Sequence, residues 1–166
     1  YKFNELSEAA KQKAVKKHYD INVEYGWWQF IDDEAKELGF KITEFNCDNG
    51  IIEGYFTENC MDVALTILKE HGKDCETTKI AAQFVSDSDK LVKKYSDGVR
   101  IDRVAEGNNE AFDEAADELE KEFKENILNE YLNILRKEYE YLTSYEAIAE
   151  TLEINEYDFL ETGEIF

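Results

Sequence analysis

Carboxylates are the side chains whose number and spacing in this sequence could support binding chemistry. Between residues 110 and 125 the chain has eight acids and two lysines. The acids are Glu110, Asp113, Glu114, Asp117, Glu118, Glu120, Glu122 and Glu125. Such a run has two interpretations. It is the solvated face of an amphipathic helix, which is the ordinary role of a charged face, or it is a negative rod that a basic partner binds.

Catalytic chemistry finds little support among the other polar residues. The two histidines, His18 and His71, lack metal-pair spacing, and no H-E-x-x-H, P-loop, G-x-S-x-G or G-x-G-x-x-G motif occurs. The run from Asp32 to Glu34 could chelate a hard cation, but it also fits the solvated side of a helix. A carboxylate hydrolase leaves no spacing signature, so it stays an alternative. We predict a protein that is not an enzyme and has no metal site or cofactor.

The adjacent Trp27 and Trp28 are a second candidate contact region. They are predicted to lie on a helix, where neighbouring side chains point about 100° apart, so both cannot face one core squarely. One is expected to anchor in the core and the other to lie at a rim or an interface, where tryptophan is enriched. Burial of both, on two sides of a short helix, is the alternative.

The overall charge indicates which partners this chain can bind. Residues 101–166 hold 20 acids and 5 basic residues, and residues 1–100 hold 19 and 14, so −15 and −5 sum to the net charge of −20. Direct binding to nucleic acid or to an anionic membrane is disfavoured, because phosphate contacts need Lys and Arg. A basic protein surface is the favoured partner. Three cysteines without C-x-x-C spacing indicate reduced thiols in a cytosolic protein.

One long helix is predicted to organise the chain. From Asn108 to Thr143, apolar residues recur in steps of three or four without an interrupting glycine or proline, which keeps one helix face apolar. Asn108 or Asn109 is the expected N-cap, and the helix is about 50 Å long at 1.5 Å per residue. Shorter helices are predicted over 7–18, 27–38, 59–71, 77–95 and 144–153, a strand over 99–104, and a small hairpin over 157–166.

A β-hairpin is predicted over residues 40–58. Asn49-Gly50 is a strong signal for a two-residue type I′ turn, because both of its positions need positive φ. With this turn Cys47 is opposite Ile52. The residues expected on one face are Phe45, Cys47, Ile52 and Phe56, with Gly54 opposite Phe45. The fold class is therefore α+β, with helices packed on a small antiparallel sheet. One domain is expected, with residues 60–107 as an optional small helical lobe.

The two ends of the chain carry a family resemblance. Residues 1–11 (YKFNELSEAAK), with Asp20-Ile21-Asn22 and Trp27-Trp28, resemble a group of small tailed-phage and prophage proteins of unknown role. Residues 137–144 (KEYEYLTS) and 155–159 (NEYDF) resemble the other end of the same group. The resemblance implies a phage gene expressed in the bacterial cytoplasm. Small acidic phage proteins of this kind include anti-CRISPR and anti-restriction DNA mimics, which implies an inhibitor of host defence by analogy.

The expected function is therefore a phage-encoded inhibitor of a host nucleic-acid-handling defence protein. It would bind through an acidic DNA-mimicking surface, with Trp27 and Trp28 as further contact residues. The first alternative is a phage regulatory or antitoxin-like interaction module whose charge serves solubility. The second is a hydrolase with an unrecognised carboxylate site.

Overall fold

The computed structural model describes residues 1–96 and 109–166. In chain order the elements are α1 (Glu8–Lys17), α2 (Gln29–Leu38), β1 (Phe40–Asn46), β2 (Ile51–Phe56), α3 (Cys60–Glu70), α4 (Glu76–Ser96), α5 (Asn109–Leu142) and α6 (Tyr145–Ile154). A 3-10 turn at Phe3–Glu5 precedes α1, and β1 and β2 form an antiparallel sheet. The predicted α+β class and the long C-terminal helix are confirmed. The strand predicted over 99–104 and the candidate cap Asn108 lie outside the described residues.

The chain divides into two compact units. The first consists of Tyr1–Phe30 and Ile134–Phe166, and the second of Ile31–Asn133. Residues of α5 belong to the second unit as far as Asn133 and to the first from Ile134 onward. The helical lobe considered for residues 60–107 falls within the second unit and extends into residues that the structure does not describe.

In the first unit, α1 and α6 enclose a core with the turns at both chain ends. The hydroxyls of Ser7 and Ser144 each accept a hydrogen bond at 3.3 Å from the backbone N–H three residues later, which is how N-caps start helices. The Tyr1 backbone nitrogen donates to the Phe159 carbonyl at 2.9 Å. The buried residues of this core are Phe3, Leu6, Ala10, Ala14, Val15, Ile148, Leu152 and Phe159.

In the second unit, the hairpin and α4 pack against α5 through aromatic rings. Phe40 meets Tyr131 edge to face at 4.8 Å between ring centroids, and Phe56 meets Phe123 in the same way at 5.9 Å. Phe84 of α4 stacks on Phe123 at 4.4 Å. These rings fix the face of α5 that is buried. The buried side chains of the unit are Ile31, Ala35, Leu38, Phe40, Cys60, Val63, Ala64, Ile67, Thr77, Ala81, Phe84, Phe123, Ile127, Tyr131 and Leu132.

The predicted hairpin forms, but its turn and its register were predicted wrongly. Asn46 pairs with Ile51, so residues 47–50 connect the strands instead of Asn49 and Gly50 alone. Gly50 has φ +70°, whereas Asn49 is not among the residues with positive φ, and this excludes a type I′ turn.

A longer turn and a β-bulge together cause the difference in register. The four-residue turn moves every pair by two positions from the predicted register, and the bulge moves the pairs beyond it by one more. Pairing shifts between Ile42 and Glu44, and the extra residue restores the in-out alternation. Gly54 is therefore opposite Ile42, not Phe45, and Cys47 lies beyond the strand. The face that turns inward consists of Phe40, Ile42, Phe45, Ile52, Gly54 and Phe56.

One helix begins later than predicted, and another has apolar residues outside its buried face. α2 begins at Gln29, so Trp27 and Trp28 precede it, and Phe30 is 58% exposed. In α3 the buried residues are Cys60, Val63, Ala64 and Ile67. Leu65, on another side of the same helix, is exposed. The α3 segment has apolar residues on several sides, so its periodicity alone does not select the buried face.

Candidate partner-binding surface

The acidic face of α5 is exposed along its whole length. We use this name for Glu110, Asp113, Glu114, Asp117, Glu118, Glu120, Glu122 and Glu125, each of which is exposed. Phe123 and Ile127 are buried on the opposite side of the helix. Because the packing of these two residues fixes the rotation of α5, the carboxylates are directed to solvent.

The charge density of this face is close to that of a nucleic-acid strand. Four glutamates (Glu110, Glu114, Glu118, Glu122) follow one another at i, i+4 spacing, which is a row with a rise of about 6 Å per step. Eight acids and two lysines from residue 110 to residue 125 leave about one net charge per 4 Å of helix axis. One strand of B-DNA carries a charge every 3.4 Å or so.

The acidic face differs from a phosphate strand in two respects. Its carboxylates are distributed over roughly 200° of the helix circumference, at about 100° per residue, instead of along a single line. Lys121 and Lys124 lie within the same stretch. The ammonium group of Lys124 sits over the Phe56 ring at 5.9 Å, so this lysine leans towards the hairpin.

Trp27 and Trp28 belong to the first unit, whereas the acidic face belongs to the second. The two indoles meet edge to face at 5.9 Å, and Trp27 also contacts the Tyr139 ring at 5.5 Å. The Tyr139 hydroxyl is 3.3 Å from that of Tyr19. Trp27 is half-buried and Trp28 is 39% exposed. The prediction that they share a helix was wrong, since both lie in the turn before α2.

The three acids on α2 that were considered as cation ligands contact other side chains of the protein. Asp32 and Asp33 both pair with Lys36, at 2.6 and 3.0 Å, while Glu34 accepts a hydrogen bond from Tyr131. Among residues 1–96 and 109–166 no group of three or more His, Cys, Asp or Glu side chains is arranged to hold a metal ion. In the same residues no helix is long and apolar enough to cross a membrane.

A polar network in the second unit was not found by sequence reasoning. The Tyr131 hydroxyl donates to Glu34 Oε1 at 2.7 Å, His71 Nε2 is 3.5 Å from the same oxygen, and His71 Nδ1 is 2.6 Å from the Thr77 hydroxyl. Burial, then the hydrogen bond to the Glu34 carboxylate, raises the pKa of Tyr131. The residues are up to 97 positions apart in the chain, so no local pattern reveals them.

The network borders a surface cleft. A cleft of about 430 Å³ is lined in part by Glu34, Glu37, Glu70 and His71. Of its three carboxylates, Glu34 is already bonded to Tyr131. This cleft is a place where the hydrolase alternative could find several carboxylates beside a histidine. The polar network beside the cleft joins α2, α4 and α5 with His71, the residue that follows α3. This is a structural role that needs no ligand.

Comparisons of this chain with protein-family models, with curated proteins and with solved structures find no match. The resemblance of the two chain ends to phage proteins therefore stays a prediction. The functional interpretation depends on the surface of the molecule itself.

Proposed function

We propose that this protein is a non-catalytic inhibitor that binds a basic, nucleic-acid-handling protein through the acidic face of α5. The observation that carries the proposal is the exposure of all eight carboxylates at a charge density near that of a DNA strand. The proposal includes the setting that the chain ends suggest, which is a phage gene product acting on a host defence protein in the bacterial cytoplasm. No cofactor enters into it.

The physical mechanism is competition for a cationic channel. A surface that binds phosphates presents Lys and Arg side chains, and a helix with exposed carboxylates offers them negative charge at a similar density along its axis. Charges of opposite sign also accelerate the encounter, so complex formation should be fast at low salt. Ions screen exposed charges over a Debye length of about 10 Å at 0.1 M, and the affinity should therefore fall as salt rises.

The test removes four adjacent charges and keeps the fold. The variant is Asp113→Asn, Glu114→Gln, Asp117→Asn and Glu120→Gln. The control removes four exposed charges elsewhere, as Glu24→Gln, Glu146→Gln, Glu150→Gln and Glu161→Gln. Both variants have the same net charge, so a difference between them reports the position of the charges.

Binding is measured by capture from nuclease-treated bacterial lysate between about 50 and about 200 mM salt, the range over which phosphate mimicry is most sensitive. Competing duplex DNA is then added, and the retained proteins are identified by mass spectrometry. We expect the wild type and the control to retain nucleic-acid-binding proteins, which salt and DNA release. Each exposed pair typically contributes about 0.2–1 kcal/mol, so four lost pairs should weaken binding by roughly four- to several-hundredfold.

The fold of the acidic-face variant should survive, since amide isosteres keep side-chain size and less self-repulsion favours the compact state. Circular dichroism and the urea midpoint check this. A folded variant that retains the same proteins as the wild type, with the same salt dependence, would refute the mimic proposal for this face.

The interaction-module alternative has an observation of its own. Two other aromatic side chains of the first unit lie close to Trp27 and Trp28 in the sequence and are exposed, Tyr25 at 83% and Phe30 at 58%. Exposed aromatic side chains are typical of protein contact sites. Binding through them would persist at high salt and in the acidic-face variant, and Trp28→Ala would abolish it.

A further inference from the structure

A groove between α4 and α5 lies beside the acidic face. Its volume is about 260 Å³. The stacked rings of Phe84 and Phe123 are buried at its floor, and the half-buried Ile80 of α4 and Leu119 of α5 line its sides. All of these residues belong to the second unit, and sequence analysis did not identify the groove.

The volume of the groove fits one large side chain. A cavity of about 150 Å³ accommodates a benzene ring, so 260 Å³ has room for a phenylalanine, leucine or tryptophan side chain. Pockets for cofactors and drug-sized ligands begin at about 300 Å³. The apolar floor and sides offer such a side chain contacts on several sides, which is the environment of an interface anchor.

The rim of the groove is connected to the acidic face. Glu122 lines the groove and is the last of the four glutamates at i, i+4 spacing. Glu118 is one helical turn before it. Lys79 also lines the groove, but it is ion-paired with Glu76, and Asp87 on the far side is paired with Lys90 at 3.1 Å. The uncompensated charge beside the groove is therefore negative and comes from α5.

We propose that this groove seats one large apolar side chain of the basic partner, from a segment in which Arg or Lys flanks that side chain. The flanking cations meet Glu122 and Glu118 while the apolar side chain covers Phe84 and Phe123. This inference rests on the proposed function, because it names the feature that the acidic face selects in its partner. Exposed charge mainly sets the association rate, whereas a buried anchor slows dissociation and supplies specificity.

The test uses three synthetic peptides and the intact protein. The first peptide contains only Arg and Gly around one central Phe, the second has Gly in place of Phe, and the third has Ser in place of every Arg. Leu119→Trp fills the groove without changing charge. Ile80→Gln makes the opposite side polar. Leu65→Trp on α3, where Leu65 is 51% exposed, is the matched control, and circular dichroism verifies each fold.

The wild type and Leu65→Trp should bind the Arg-Phe peptide on the order of tenfold to a hundredfold more tightly than the Arg-Gly peptide, as burial of one large apolar side chain implies. Leu119→Trp and Ile80→Gln should remove this advantage and leave Arg-Gly binding unchanged. The acidic-face variant of the preceding subsection should weaken both Arg peptides by the same factor and keep their ratio, because Glu122 and Glu118 remain.

Several outcomes would overturn the inference. Equal affinity of the wild type for the two Arg peptides would do so while leaving the proposed function standing. Tight binding of the Ser-Phe peptide would show that the groove does not select basic segments. A wild-type dimer in sedimentation velocity that Leu119→Trp dissociates would assign the groove to a second copy of this chain. Another outcome is that the acidic-face variant binds both Arg peptides as tightly as the wild type and still prefers the Arg-Phe peptide. That result would refute the proposed function and leave the assignment of the groove standing.

Discussion

Replacement of Tyr131 by phenylalanine should destabilise the protein at neutral pH but much less at alkaline pH. The Tyr131 side chain is fully buried, and its hydroxyl donates to Glu34 Oε1 at 2.7 Å. A hydrogen bond to a charged acceptor contributes about 1.5–3 kcal/mol. The Glu34 side chain is 50% exposed, so water can replace the lost donor. We therefore expect a loss of about 1–2 kcal/mol at pH 7, with the ring still packed on Phe40.

The smaller effect of Tyr131→Phe at alkaline pH follows from the raised pKa of Tyr131. In the unfolded chain tyrosine ionises near pH 10, whereas burial and Glu34 raise the pKa of Tyr131 in the folded state. A raised folded pKa means that this stability is fully present below about pH 10 and is lost above it, at up to about 1.4 kcal/mol per pH unit. Tyr131→Phe has no such loss. The difference between the two proteins should therefore shrink by roughly 1.4 kcal/mol between pH 7 and pH 11.

Urea unfolding followed by far-UV circular dichroism at pH 7, 9, 10 and 11 measures both effects. Tyr55→Phe is the matched control, because Tyr55 belongs to β2 and is 52% exposed, and we expect it to change stability by less than about 0.5 kcal/mol. A Tyr131→Phe loss at pH 7 no larger than that of the control would contradict the hydrogen-bond argument. A difference between wild type and Tyr131→Phe that stays constant up to pH 11 would contradict the ionisation argument.

Two further predictions concern the hairpin turn and the cysteines. Gly50 has φ +70°, so Gly50→Val should lower the free energy of unfolding by about 1–3 kcal/mol. Gly50→Asn should lower it clearly less, because asparagine tolerates positive φ. Equal urea midpoints for the two variants would show that the turn relaxes. Burial raises the pKa of Cys60 to about 11, and Cys75 is exposed. The thiolate is the nucleophile, so iodoacetamide at pH 8 should alkylate Cys75 first and Cys60 only on unfolding. Peptide mapping measures the order of labelling. Early labelling of Cys60 in the folded protein would contradict its burial.

Local signals in the sequence were sufficient for most helix positions. The predicted helix ranges that begin at Ser7, Asn59 and Ser144 have these residues as their N-caps, because a cap depends on residues only two or three positions away. α5 runs from Asn109 to Leu142, within one residue of its predicted bounds at either end. The same periodicity placed the acids of α5 opposite Phe123 and Ile127, so the exposure of the acidic face follows from helical spacing alone.

Long-range packing decided the rest, because those interactions join residues that no local pattern relates. The four-residue turn and the extra residue in β1 together changed every predicted strand pair, and a sequence with alternating residues on both strands is compatible with either register. Helix α2 begins at Gln29, so Trp27 and Trp28 lie outside it. The Tyr131–Glu34 hydrogen bond spans 97 positions, and the groove beside Glu122 exists only because Phe84 stacks on Phe123. Most helix positions and the acidic face thus follow from the sequence, whereas strand register, the buried polar network and the groove depend on which surfaces meet in three dimensions.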